Sequence, residues 1–272
     1  MIQFQYLEHK AEGAVLLVRL SRAPVNAVND AMYTEIRELF STVDRVAPEA
    51  NAVVLTGTGK HFCGGNDLDE FLSMDSASAR DRMFHVREAF FAIQDCAVPV
   101  IGAVHGAALG TGLAIAASCD IVVASADARF GLPEITVGVM GGAAHLARLV
   151  PQPMVRRMFF TGEPVSAAEL YRVGGIDQVV ERDALEETAL ALAAKIARHS
   201  PTALRVAKTA LNAVESMDLK PGYELEQGWT GWLSDHPDSK EAIRSSRERR
   251  EPHYLPPHPA TRTWTAADAA KS

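Results

Sequence analysis

Three glycine-rich stretches hold most of the residues that could carry chemistry: "GTGKHFCGGND" (57–67), "GAALGTG" (106–112) and "GVMGGAAH" (138–145). Glycine lets the main chain turn tightly and approach a ligand, and a helix that starts there presents unpaired N–H groups. Two such stretches brought together would form an oxyanion hole. The same residues serve close packing of a helix on a sheet equally well. A dinucleotide fingerprint is not met, because the central stretch offers only Gly110 and Gly112 and position 115 is Ile. The phosphate-cradling pattern G-x-x-x-x-G-K-S/T and the serine elbow G-x-S-x-G are both absent. Among titratable residues, Glu134 follows Pro133 in "FGLPE" and His145 ends the third stretch. His61 and Cys63 stand two apart, but no second ligand pair lies at zinc spacing, so no metal site is expected.

The elements that must position these residues alternate. "AVLLVRL" (14–20), "NAVVLTGTG" (51–59) and "VPVIGAVHG" (98–106) read as strands, and "DIVVASADARFGLPE" as a further strand and turn. Between them, residues 27–44, residues 79–95 and the small-residue run "TGLAIAASC" read as helices. Strand and helix in alternation predict an α/β protein. After about residue 153 helix formers dominate: two short helices closed by glycine, two long ones bounded by proline, and a charged helix at about 238–251. The predicted division is an α/β core over 1–195, a helical region over 196–254, and a tail over 255–272, mobile or draped over a neighbour.

Composition narrows the classes of function. With 272 residues, 47% of them hydrophobic, the chain can bury a sizeable core. A net charge of -7 supplies no basic field for nucleic acid or an anionic membrane. Neither a signal-like N-terminus nor a bilayer-length apolar run is present, so a cytoplasmic protein without membrane partners is expected. Cys63, Cys96 and Cys119 are odd in number and scattered, which predicts buried, reduced thiols rather than a disulfide framework.

The run "GKHFCGGNDLDEF", followed by "PVIGAVHGAALGTGLAIAASCDIVVASADARFGLPEITVGVMGGAAHLARLV", resembles the enoyl-CoA hydratase/isomerase family, the crotonase superfamily. "SRAPVNAVN", "FFTGEPVSAAELYRVGGIDQVV" and "KEAIRSSRERREPHY" extend the resemblance over roughly residues 10–254. It implies a crotonase-like spiral of ββα units with a C-terminal helical trimerisation region, assembled as a homotrimer or homohexamer. It also implies an acyl-CoA substrate, with coenzyme A arriving as part of the thioester and no separate cofactor.

Carried over motif by motif, the resemblance places the thioester oxygen between the backbone N–H groups of Asn66 and Thr111, positions that the family usually fills with glycine or another small residue. A typical hydratase has two glutamates sharing one water; here the first position is Ala114 and the second is Glu134. Glu134 is therefore the expected acid/base, sufficient for a proton shuttle but not for two-glutamate hydration. His145 would flank the acyl end. Val25, Ala27 and Gly64 would meet the adenine end of CoA, and Arg249 its phosphates. Asp67 is expected to fix its own turn, and His105 to pack. The leading expectation is hydration or double-bond isomerisation of an enoyl-CoA. The alternatives are a hydrolase or carbon–carbon lyase on a cyclic or oxo-acyl-CoA, and a non-catalytic CoA-binding module.

Overall fold

The computed structural model describes residues 3–72, 75 and 77–257. Its larger sheet runs in the order β1 (Leu7–Glu12), β2 (Val15–Leu20), β3 (Ala52–Gly57), β4 (Val100–Val104), β6 (Ile121–Ser125), β9 (Gln178–Val180), with β1 antiparallel to β2 and the other neighbours parallel. A smaller sheet sets β5 (Ala107–Leu109) parallel to β7 (Arg129–Gly131), and β7 antiparallel to β8 (Val165–Ser166). The helices of the first half are α1 (Asp30–Ser41), α2 (Val43–Val46), α3 (Leu68–Leu72), α4 (Ala79–Gln94), α5 (Thr111–Ser118) and α6 (Ala143–Leu146). There follow α7 (Gln152–Thr161), α8 (Ala167–Arg172), α9 (Leu185–Ala197), α10 (Pro201–Val214), α11 (Leu219–Asp235) and α12 (Pro237–Glu248).

The expected α/β class is what forms, because β2, β3 and β4 are apolar on both faces and must be covered twice. Leu16, Val18, Val53 and Leu55 face a core shared with Met32, Ile36 and Leu39 of α1 and with Ala89 and Ile93 of α4. Leu17, Val54 and Ile101 face the other way, against Leu185, Ala189, Ala193 and Ala197. Those four recur every fourth residue, so they form one stripe along α9. Helices α10 and α11 close a separate small core around Val206, Ala210 and Trp229.

Several elements depart from the sequence-based expectation. The expected 27–44 helix starts at Asp30, because the Asn29 side chain accepts the Met32 N–H, and it breaks at Thr42 before α2. Strand β1 is a polar edge strand, "LEHKAE", and carries no apolar alternation to announce it. Helix α11 contains Pro221, Gly222, Gly228 and Gly231, residues that argue against a helix locally. From residue 258 onward the expected tail lies outside the described residues.

What positions the glycine-rich stretches is a three-layer backbone ladder. Phe62 and Cys63 donate to the carbonyls of His105 and Ala107, and Leu109 N–H returns to Cys63 O. On the other side Gly64 donates to Val25 O, Val28 to Gly65 O, and Asp67 to Val28 O. Asn26 locks this layer from within. It is 1% exposed, adopts φ 53°, and its Nδ2 donates to the carbonyls of Thr58, His61 and Phe62. Replacing Asn26 by Ala strands those acceptors in the interior, so Asn26→Ala is expected to lower the unfolding free energy by about 2 kcal/mol in urea titrations.

Candidate functional site

Helix α5 begins at Thr111, after Gly110 has turned the chain with φ 52°. Gly110 itself donates to Gly131 O, and the first N–H of α5 satisfied within the helix is that of Ala114, which bonds to Gly110 O. The Thr111 N–H, in the first turn, donates to no described residue, and neither does the N–H of Asn66. The two expected donors are therefore both unspent. They are also close, since a Cβ placed on Gly110 would stand 3.9 Å from the Gly65 Cα. The small residues of α5 serve packing as well: a Cβ on Gly112 would lie 2.3 Å from the Cys63 carbonyl oxygen. At Gly112, close packing is therefore what the glycine serves.

Glu134 arrives on the short 3₁₀ turn Pro133–Val137, which follows β7. A Cβ on Gly110 would meet Glu134 Oε1 at 2.8 Å, so only a glycine there lets the carboxylate lie over the start of α5. Its Oε2 is buried and has no hydrogen-bond partner. Burial pushes the Glu134 carboxyl pKa above its ordinary value, because the charged form is desolvated and a hydrogen bond from its own backbone offsets this only in part. Ala114, at the expected position of the first glutamate, is 1% exposed and packs in the main hydrophobic core.

A cavity of about 430 Å³ brings together Val25, Ala27, Gly64, Gly65, Asn66, Asp67, Gly110, Glu134 and Val139, among others. Three of the four residues expected at the CoA end thus share one cavity with Asn66 and Glu134. Arg249 does not join them within one chain; it is an exposed left-handed residue that ends α12. Thr111 is 4% exposed and, unlike Gly110, does not line the cavity. His145 is half-buried and edge-on to Phe90, with ring centroids 5.0 Å apart, and it does not line the cavity. Burial, with help from Arg148, lowers its pKa and favours the neutral imidazole. Asp67 accepts from Arg22 at 2.6 Å and from the Asp69 N–H, which is the turn-fixing role expected of it. His105 packs as expected, 6% exposed, with burial lowering its pKa to about 4.

One residue at this site is invisible to motif reading. Tyr33, on α1, is fully buried, and its hydroxyl lies 2.6 Å from Asn66 Oδ1 and 2.7 Å from Thr111 Oγ1. It joins the side chains of the two donor residues. In the sequence it is one more apolar-face residue of an amphipathic helix; the signal available was a hydroxyl on a ring facing the core, which burial requires to find a partner.

All three cysteines are free and buried, and burial pushes Cys63 and Cys119 up to about 12, so they are inert thiols as expected. No group of metal-ligating side chains occurs among the described residues. Nor, among them, is any helix long and apolar enough to cross a membrane. A larger cavity, about 730 Å³, lies elsewhere, around Asp120, Arg148, Tyr171 and Glu215. It holds none of the expected site residues, and its Arg148 is already paired with Glu215 at 2.7 Å.

Comparison with known proteins agrees with this geometry. The family model described as enoyl-CoA hydratase/isomerase matches residues 10–256. A (7aS)-7a-methyl-1,5-dioxo-2,3,5,6,7,7a-hexahydro-1H-indene-carboxyl-CoA hydrolase of Rhodococcus jostii is 39% identical over 217 residues, which is 79% of this chain and 84% of that protein. A 2,3-dehydroadipyl-CoA hydratase of Escherichia coli is 36% identical over 247 residues, 88% of this chain and 94% of that protein. The crystal structure of an enoyl-CoA hydratase from Bacillus anthracis superposes with a TM-score of 0.86 at 30% identity, covering 92% of this chain and 99% of that one.

Proposed function

The chain belongs to the enoyl-CoA hydratase/isomerase family and is an enzyme of acyl-CoA thioesters, and from that premise we propose that it works through one carboxylate, Glu134, against an enolate held by the N–H groups of Asn66 and Thr111. The observation that carries this reading is the unpartnered, buried Oε2 of Glu134, whose carboxylate lies over Gly110 at the start of α5. A thioester oxygen accepting from both N–H groups gathers charge as the α-proton leaves to Glu134, and preorganised donors stabilise that charge without reorganising. The same carboxyl then returns the proton. With Ala114 at the first glutamate position, two-glutamate hydration is not the reaction assigned.

Two overall reactions fit one carboxylate. Hydrolysis of an oxo-acyl-CoA is favoured by the Rhodococcus relative, whose name describes a hydrolase of a dioxo carboxyl-CoA thioester. In that reaction Glu134 takes a proton from a water that adds to a carbonyl β to the thioester, the bond between that carbon and the α-carbon breaks to leave a carboxylic acid, and its electron pair enters the enolate, to which Glu134 returns the proton. His145, expected at the acyl end, does not line the cavity and is given no role in this reading. Double-bond isomerisation is the second reading, favoured by the sufficiency of Glu134 alone to move a proton from C2 to C4. The adenine end of CoA is assigned to Val25, Ala27 and Gly64. Arg249 is assigned to CoA phosphates across a subunit contact in a cytoplasmic homotrimer or homohexamer.

The deciding experiment is mass spectrometry of 3-enoyl-, 2-enoyl- and cyclic 3-oxoacyl-CoA thioesters incubated with the protein in deuterated water. A ring-opened diacid mono-thioester with deuterium at the α-carbon is expected. Deuterium uptake with the double bond moved and no water added identifies the isomerase instead. No α-exchange on any of the three would overturn the enolate reading.

A further inference from the structure

An oxyanion hole made of backbone N–H groups needs no side chain at either donor, yet here both donor residues carry polar side chains joined by a buried tyrosine. Tyr33 has one proton and gives it to Asn66 Oδ1, so the Thr111 hydroxyl donates to Tyr33 in turn. The chain of bonds runs one way, from Thr111 through Tyr33 to Asn66, and each bond polarises the next. Burial, the main cause, raises the Tyr33 phenol well above its ordinary pKa, so the proton stays in the chain. The edge of Phe90 lies against the Tyr33 ring, centroids 6.1 Å apart, and fixes its orientation.

With Oδ1 held by Tyr33, the amide nitrogen of Asn66 is turned away from the buried side. Nδ2 donates to no described residue, and it is not among the buried polar atoms that lack a partner, so it faces open space. The space that Asn66 borders is the 430 Å³ cavity with Glu134 in its wall. Covalent geometry keeps Nδ2 within roughly 5 Å of its own backbone nitrogen. One residue therefore offers two donors, N–H and Nδ2, at a separation that suits two neighbouring carbonyl oxygens.

We propose that the Asn66 side-chain amide, clamped by Tyr33 and Thr111, donates to a second acyl oxygen, so that the substrate class is an acyl-CoA bearing a carbonyl next to the thioester-linked α-carbon. This deepens the hydrolase reading above and rests on it for the identity of the site. It makes Asn66 a specificity-determining residue through its side chain, separate from its backbone role. Tyr33 and Thr111 are positioning residues that act through it.

The test is calorimetric titration with a matched pair of probes, 3-oxobutyryl-CoA and butyryl-CoA. The wild-type protein is expected to bind the oxo thioester about tenfold more tightly, the effect of one well-made hydrogen bond. Asn66→Ala should bring the two probes within about twofold, by weakening binding of the oxo thioester. Asn66→Asp keeps an oxygen for Tyr33 but presents an acceptor instead of a donor, and should abolish the preference without lowering the melting temperature. Tyr33→Phe should reduce it in part. A wild-type protein that does not discriminate, or an Asn66→Ala protein that loses both probes equally, overturns the proposal. Its failure is separable from that of the one-carboxylate reading: a Glu134→Gln protein that still turns over refutes the latter and leaves the oxo preference untouched.

Discussion

Glu134→Gln is expected to reduce turnover by on the order of a thousandfold while changing affinity for the CoA thioester by no more than a few-fold. The magnitude is that of a positioned general acid/base, ~10²–10⁴, and the replacement keeps the volume of the side chain over Gly110. Affinity should survive because the cavity wall at Val25, Ala27 and Gly64 is untouched. The pH dependence follows from the direction of the Glu134 shift. Burial raises its pKa above the ordinary 4.5, so the acid limb of kcat/KM for the wild-type protein should inflect above that value, with activity lost as pH falls through it. Stability runs the other way. The folded state binds the Glu134 proton more tightly than the unfolded chain does, so the contribution is fully present below the unfolded pKa and is lost as pH rises through the folded one. Above the folded pKa the ionised carboxylate opposes folding, and Glu134→Gln should melt higher than wild type. Below the unfolded pKa the difference should vanish. A Gln variant that remains active, or that melts lower above the folded pKa, would refute the assignment.

Gain in stability on losing activity would mean that the site holds its functional groups at a cost. The unspent N–H groups of Asn66 and Thr111 and the lone Glu134 Oε2 are all groups that a fold optimised for stability would pair. The surrounding ladder and the buried Asn26 hold them in place. Each therefore marks the site more specifically than cavity size does, since the larger cavity holds none of the expected site residues and its Arg148 is already paired with Glu215.

Much of this was legible in the sequence, for reasons that differ by residue. Strands β2, β3 and β4 are short apolar runs ended by turn residues, and α9 carries alanine at every fourth position, so period and composition sufficed. Glu134, Asn66 and Thr111 were named through the family resemblance, whose motifs are local runs of sequence. Strand β1 was not, because an edge strand needs no apolar face, and α11 was hidden by its glycines and proline. Tyr33 lay beyond reach for a different reason. Its partners Asn66 and Thr111 are 33 and 78 residues away, and nothing in "AMYTEI" distinguishes a tyrosine that packs from one that also bridges two loops. Long-range hydrogen bonds between single residues leave no period and no motif.

The backbone role of Thr111 can be isolated, because its N–H is the one group there that a substitution can delete without touching the helix ladder. Thr111 is the first residue of α5, where proline is well tolerated: the position has no intrahelical N–H bond to lose, and a fixed φ suits the helix start. Thr111→Pro should therefore fold, losing the hydroxyl bond to Tyr33, about 1 kcal/mol of stability, together with the N–H. Thr111→Ala loses the same hydroxyl and keeps the N–H. The two variants should thus melt alike, yet the proline variant should turn over about 10²–10³ more slowly than the alanine variant, the usual effect of removing one oxyanion donor. Free CoA should bind both equally, since its contacts lie at Val25, Ala27 and Gly64 in this assignment. Equal turnover by the two variants would mean that the enolate oxygen does not sit at the start of α5, and Asn66 would be left as the sole backbone donor of the site.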